Sequence, residues 1–264
     1  MAITTIDGLI GALEQTLIFN KTASRTTIAS IPFSVFDLAG SPGAGTLAVG
    51  NTANGIVPTD AIAGTPTINA FSGANSGYIS RVNFGSTVAC RMMLYDRLFS
   101  AGAYAFNANT TLASQPSFSA RVPNLDYKGL ELWIEAVTAF TGSQSIAVTY
   151  TNQDGTTGRT TGTIATGVAP TIGRMLRLNL QAGDTGIQKI ESVVSSVSTV
   201  GTFNVHILRK LWIGRVKFAN DGDIHDFTKT GLPHIFADSS LFYIVQADST
   251  ATGLPTIDID IVNG

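Results

Sequence analysis

The clearest regularity along the chain is an alternation of apolar and polar residues with a period of two, which begins near Tyr78 and recurs towards the C-terminal end. Tyr78, Ser80, Val82 and Phe84 alternate with Ile79, Arg81 and Asn83, and a run from Val88 to Leu98 follows. Leu130, Leu132, Ile134 and Ala136 then alternate with Glu131, Trp133 and Glu135. Ile146, Val148 and Tyr150 alternate with Ala147, Thr149 and Thr151 and lead into Asn152-Gln153-Asp154-Gly155. The Asp-Gly pair is a strong hairpin signal, and Thr156–Ile164 is the expected returning strand. Further strands are predicted around Leu176–Leu180, Ile187–Val197, Phe203–Val216, Leu241–Ala247 and Ile257–Val262. Segments of this kind, separated by Gly and Pro rather than by helical stretches, predict an all-β protein with a β-sandwich or jelly-roll-like body. In the last strand Asp258 and Asp260 take the polar side; this is either an ordinary half-exposed strand or a charged edge that discourages sheet-to-sheet pairing.

Before Tyr78 the pattern differs. Ile6, Leu9, Ile10, Leu13 and Leu17 recur at helical intervals behind Thr4 and Asp7, which have capping-box spacing. A short amphipathic helix is expected there, weakened by Gly8 and Gly11. Its apolar face must dock either on its own domain or on a neighbouring subunit. From about Ala39 to Gly77 the chain is Gly- and Pro-punctuated and almost uncharged, including Gly40-Ser-Pro-Gly-Ala-Gly45, Pro58, Gly64 and Pro66. So long an irregular stretch suits an extended arm or interface loop. The expected division is therefore residues 1–77 as helix and arm, and residues 78–264 as the β-body, in one domain or two sub-domains.

Composition adds a reason to expect assembly. Of the 264 residues 44% are hydrophobic, an ordinary share, but only 13% are charged, about half the usual fraction. A surface of hydroxyls, amides and small apolar groups solvates poorly on a lone monomer, so much of it is expected to lie against neighbours. The net charge of −2 argues against a general nucleic-acid binder, which needs a basic face. The single Cys90 rules out an intrachain disulfide and reads as a small buried hydrophobe. The N-terminal residues lack a secretory signal pattern and no apolar run approaches a membrane span, so the expected route is synthesis in the cytoplasm and export only as part of a larger particle.

Catalytic motifs are scarce. Neither a phosphate-binding Gly-x-x-x-x-Gly-Lys-Ser/Thr loop, nor a dinucleotide-binding Gly-x-Gly-x-x-Gly turn, nor a Gly-x-Ser-x-Gly elbow occurs. Asp221-Gly-Asp-Ile-His-Asp226, with His234 downstream, could place oxygen and nitrogen ligands in one turn, but a self-capping polar turn explains it better. Glu131 and Glu135 sit four apart on a strand, about 13 Å between Cα atoms, too far for the usual glycosidase pair. Trp133 between them suits ordinary packing, an interface anchor or a sugar platform. The basic strand Arg209-Lys210-Leu-Trp-Ile-Gly-Arg215-Val-Lys217 could meet phosphates, yet a salt-bridged surface is the simpler reading. No catalytic, cofactor or metal residues are assigned; the interface candidates are Ile6, Leu9, Leu13, Leu17 and Trp133.

Several phrases are similar to stretches in virion structural proteins of tailed bacteriophages: Leu94-Tyr-Asp-Arg-Leu-Phe99, the hairpin from Tyr150 to Gly162, and Ala247-Asp-Ser-Thr-Ala-Thr-Gly-Leu-Pro255. The resemblance spans roughly residues 88–264 and implies a non-enzymatic virion component. Its expected partners are copies of itself and a phage major capsid or other virion protein, without cofactor, membrane or nucleic acid. A capsid decoration or cement protein is the first expectation; a tail or fibre component binding a host glycan is the alternative.

Overall fold

A computed structural model describes residues 5–71, 76–107, 109–167, 171–195 and 200–263. Among them the elements run α1 (Ile6–Gly11), β1 (Leu13–Lys21), β2 (Pro32–Ser34), β3 (Gly40–Ser41), β4 (Asn51–Ile56), β5 (Ser76–Ser86), β6 (Cys90–Ala105) and β7 (Asn109–Thr111). The middle of the chain supplies β8 (Leu130–Thr138), β9 (Ser145–Asn152), β10 (Arg159–Thr160), β11 (Ile164–Ala165), β12 (Met175–Leu178) and β13 (Ile187–Ser195). The remainder holds β14 (Thr202–Val216), β15 (Asp221–His225), α2 (Phe227–Thr230), β16 (His234–Phe236), β17 (Leu241–Ala247) and β18 (Thr256–Asn263). The protein is all-β and sandwich-like, as the period-two pattern requires.

The chain folds as two compact units. Unit 1 comprises residues 1–45, 59–96 and 211–264; unit 2 comprises residues 46–58 and 97–210. In unit 1 an antiparallel sheet has the order β15-β5-β18-β1-β3, with β16 also on β5. Its inner face carries Leu17, Phe19, Ile79, Val82, Phe84, Ile257, Ile259 and Ile261. These pack with Met92, Leu94, Leu211, Trp212, Leu241, Tyr243 and Val245 to form one core. In unit 2 the sheet β10-β9-β13-β7 contributes Ile146, Val148, Tyr150, Ile187, Ile190 and Val193. Against them lie Leu130, Leu132 and Ile134 of β8 and Phe203, Val205 and Ile207 of β14.

Bulges set the registers. Asp260 pairs with Arg81 but Ile261 pairs with Ile79, which leaves Ser80 as an extra residue in β5. That insertion turns Ile79 onto the same buried face as Val82 and Phe84, whereas strict alternation would have put it with Arg81 and Asn83. The predicted hairpin forms: Asn152 N–H donates to Thr156 O at 2.9 Å, and Gly155 takes the left-handed conformation (φ 84°) that its turn needs. Its returning strand is broken into β10 and β11, both paired with β9.

The N-terminal expectation needs correction. The helix stops at Gly11, and Leu13 and Leu17 lie on β1, where the alternation of Leu17 and Phe19 against exposed Ile18 and Asn20 fits a strand. Thr5 is the N-cap, its Oγ1 accepting from Gly8 N–H at 3.0 Å; Thr4 lies outside the described residues. The Ala39–Gly77 stretch contains β3, β4 and the start of β5, and it buries Leu47, Ile68 and Phe71. Its residues 46–58 belong to unit 2 and the rest to unit 1.

Candidate functional site

The five predicted interface residues separate into two groups. Ile6 is 67% exposed and Leu13 53% exposed, Leu9 is half-buried, and neighbouring Ile10 and Ile18 are 70% and 51% exposed. Leu17 and Trp133 are 6% and 4% exposed, held within units 1 and 2 respectively. These two are packing residues of their own chain, a correction that follows from β1 and β8 being strands with covered faces. Of the five, Ile6 and Leu13 are exposed and Leu9 half-buried; Ile10 and Ile18, not among them, add further exposed apolar side chains within the same stretch.

β8 is buried on both faces. Leu130, Leu132, Ile134 and Ala136 enter the core, while Glu131, Trp133 and Glu135 lie on the opposite side, all of them buried. Residues 46–58 bond onto that opposite side: Asn204 Nδ2 donates to Leu47 O at 2.7 Å and to Glu135 Oε2 at 3.2 Å. Ser100 Oγ is hydrogen-bonded to His206 Nδ1 at 2.8 Å, and His206 Nε2 lies 3.2 Å from Glu135 Oε2. The residue types are those of a serine-hydrolase triad, but all three side chains are fully buried, so a substrate has no access to the hydroxyl. Burial pushes the His206 pKa down, against the pull of Glu135, and keeps the ring neutral. The sequence pattern gave no sign of this set, since Ser100, Glu135 and His206 lie on three separate strands.

On the same side of β8 Glu131 forms the floor of an open cleft in unit 2 of about 570 Å³, walled by Lys128, Arg177, Asn179, Thr185, Arg209 and Lys210. Trp133 Nε1 donates to Glu131 Oε2 at 2.9 Å and fixes the carboxylate; Arg177 and Lys210 stand 3.4 and 3.8 Å from Oε1. Asp184, also at the cleft, is engaged by Arg159 at 2.9 and 3.1 Å, by Asn152 Nδ2 at 2.9 Å and by the Tyr150 hydroxyl at 2.7 Å. The Arg159 guanidinium holds its carboxyl down at about 2, while burial and the donated bond push the Tyr150 phenol up to about 12. The cleft therefore presents four cations, Lys128, Arg177, Arg209 and Lys210, around the one carboxylate of Glu131. The predicted basic strand does not form one basic face: Arg209 and Lys210 line this cleft, whereas Arg215 meets Asp248 at 3.2 Å in unit 1.

The Asp221–Asp226 cluster is a capped edge strand. Asp221, Gly222, Asp223 and Ile224 are exposed on β15 at the end of its sheet, and Asp226 caps α2 by accepting from Thr228 and Lys229 N–H at 3.0 and 3.2 Å. Trp212 Nε1 donates to His225 Nδ1 at 3.0 Å, and His234 stacks on Tyr78 with ring centroids 5.1 Å apart, away from the turn. Among the described residues no three His, Cys, Asp or Glu side chains converge as a metal site. Cys90 is fully buried and burial raises its thiol to about 11.

No protein-family model and no curated protein matches the chain. Among solved structures it is similar to PirA, at 13% identity over 31% of this chain and 69% of that one, with a TM-score of 0.17. Infectious bursal disease virus, Gt strain, is similar at 9% identity over 96% and 82%, TM-score 0.15. The stem and receptor-binding domain of the spike protein P1 from bacteriophage PM2 is similar at 9% identity over 95% and 98%, TM-score 0.14. Scores this low do not establish a shared fold with any of the three.

Proposed function

We propose that the chain is a non-enzymatic structural component of a virus particle, which self-associates and packs on a tailed-phage capsid as a decoration or cement subunit. The observation that carries this reading is the exposure of four apolar side chains, Ile6, Ile10, Leu13 and Ile18, within thirteen residues of a protein with only 13% charged residues. Exposed apolar surface of this kind is characteristic of interaction sites. Repeated contacts of about 1,600 Å² give a durable lattice even where each is modest. The buried Ser100–His206–Glu135 set and the fixed Glu131 serve the fold in this reading, not a reaction. Light scattering of the purified protein, together with sedimentation on capsids stripped of accessory proteins, tests it. Oligomers that bind the shells are expected; a protein that stays monomeric at high concentration and ignores the shells overturns it.

A second reading, a tail or fibre component that binds a host glycan, is favoured by a smaller cleft of about 250 Å³ in unit 2. Tyr127, half-buried, supplies aromatic surface there, and Gln115, Gln188 and Lys189 supply polar groups, the mixture a sugar face and its hydroxyls require. Saturable binding on a glycan array, lost in Tyr127→Ala, would select it over the capsid reading.

A further inference from the structure

Charge is divided unevenly between the two units. Unit 1 holds seven Lys and Arg against twelve Asp and Glu, a net of −5, and unit 2 holds nine against six, a net of +3; together they give the chain's −2. The excess is localised in unit 2 and more widely spread in unit 1. In unit 2 it gathers at the cleft, where Lys128, Arg177, Arg209 and Lys210 surround Glu131 while Asp184 is already committed to Arg159. In unit 1 an open sheet edge carries part of it: β15 presents Asp221 and Asp223, with Asp226 one residue beyond, and its apolar Ile224 is 51% exposed. Of the leucines at the cleft, Leu130, Leu132 and Leu178 belong to the core, and Leu180 is half-buried. Neither side is uniformly charged, for Lys217 and Lys229 lie near Asp223, as Glu131 lies among the cleft cations. Mixed patterns of this kind fix register as well as attraction.

We propose that the unit 2 cleft of one copy receives the acidic β15 edge of unit 1 of a second copy, so that the protein associates head to tail through two different surfaces. This rests on the self-assembly reading above and specifies its partner surface. A contact between unlike patches always leaves one cleft and one acidic edge unused in an open chain of copies, so growth continues until a ring closes or a shell supplies the geometry.

Sedimentation velocity on the full chain tests the proposal at about 0.02 M and about 0.5 M NaCl, which shortens the screening length from about 20 Å to about 4 Å. Association is expected to weaken by roughly tenfold or more at high salt. One variant reverses the exposed cleft cations (Lys128→Glu, Arg177→Glu, Lys210→Glu), and a second reverses the edge (Asp221→Lys, Asp223→Lys), leaving the α2 cap Asp226 in place. Each alone should remain monomeric at low salt, and the two mixed should associate again, because the reversed cleft now fits the reversed edge. Circular dichroism unchanged from the parent shows that both fold. If the parent associates but neither salt nor the reversals alter it, the charge pairing is wrong and assembly runs through the apolar residues alone. If the parent never associates, the self-assembly reading fails with it.

Discussion

Replacing Leu17 by Ala and, separately, Ile6 and Ile10 by Ser perturbs one stretch of apolar sequence at two levels of burial. Leu17 is 6% exposed and shares a core with Phe19, Val82, Trp212 and Ile259. Truncating it removes three carbons from a packed interior, for which about 2–5 kcal/mol of stability is the usual loss. Ile6 and Ile10 are 67% and 70% exposed, and replacing side chains that already meet water changes stability by about 0.5 kcal/mol or less. Assembly reverses the ranking. Fully burying an isoleucine is worth about 1.5–3 kcal/mol, and two-thirds of each is left to bury, so the pair contributes about 2–4 kcal/mol per contact. That corresponds to about 30- to 1,000-fold in an association constant. Urea unfolding read by the fluorescence of Trp212, in a Trp133→Phe background, reports the core that contains Leu17. Sedimentation velocity reports association. Leu17→Ala should lower the unfolding midpoint, and Ile6→Ser with Ile10→Ser should leave it in place while oligomers dissociate. Unchanged oligomers in the double variant refute the interface role, and an unchanged midpoint in Leu17→Ala refutes the assignment of that residue to the core.

Acid should destabilise the protein in two stages, measured as urea midpoints across pH. Folding lowers the His206 pKa, so below about 6.5 the unfolded chain binds a proton that the folded chain refuses, and stability falls with pH from there; a flat profile between about pH 7.5 and about pH 5 would contradict the buried neutral imidazole. Asp184, held at about 2 against an ordinary 3.8, keeps its contribution above the higher value and loses it as pH falls toward the lower one. Tyr150→Phe deletes a hydroxyl that donates to Asp184 and accepts from Gln181 N–H, both at 2.7 Å, and should cost about 1–3 kcal/mol by calorimetry. Gly214→Ala would drive a methyl group into the Trp212 ring and to 2.8 Å from Phe84, lowering stability by about 1–3 kcal/mol and shifting Trp212 emission. Ala61→Lys, at an exposed position of the 39–77 stretch, should weaken assembly and leave the fold intact by circular dichroism; normal assembly would show that this stretch is no interface.

The strands were legible because burying one face of a sheet writes a period of two into the chain, and Ile257, Ile259 and Ile261 against Asp258 and Asp260 show it without interruption. The faces were less legible where bulges intervene. Ile187, Ile190 and Val193 are all fully buried at intervals of three, a spacing that reads as helical, because Gln188 and Glu191 are each an extra residue opposite β9. The N-terminal segment failed for the related reason that Ile6, Leu9, Ile10, Leu13 and Leu17 satisfy a helical template by position alone. What decides between helix and strand at Leu13–Lys21 is the long-range pairing of Leu17 with Ile259 and Phe19 with Ile257 across most of the chain, which no local window contains.

The second face of β8 is the instructive case for function. Glu131, Trp133 and Glu135 look like the solvent side of a half-buried strand, and on that reading two carboxylates beside a tryptophan invite catalysis or sugar binding. Burial there comes from elsewhere in sequence, through Asn204 bonding to Leu47 in residues 46–58. Once covered, polar groups must be satisfied within the protein, which is why Ser100, His206, Glu135 and Asn204 join in one chain of hydrogen bonds, and why Glu131 is held by Trp133. The chemistry that reaches solvent is what remains outside that chain: the cations at the cleft rim. Arg177 and Lys210, 58% and 50% exposed, stand over a single fixed carboxylate, and it is on these cations that the proposed contact with an acidic edge rests.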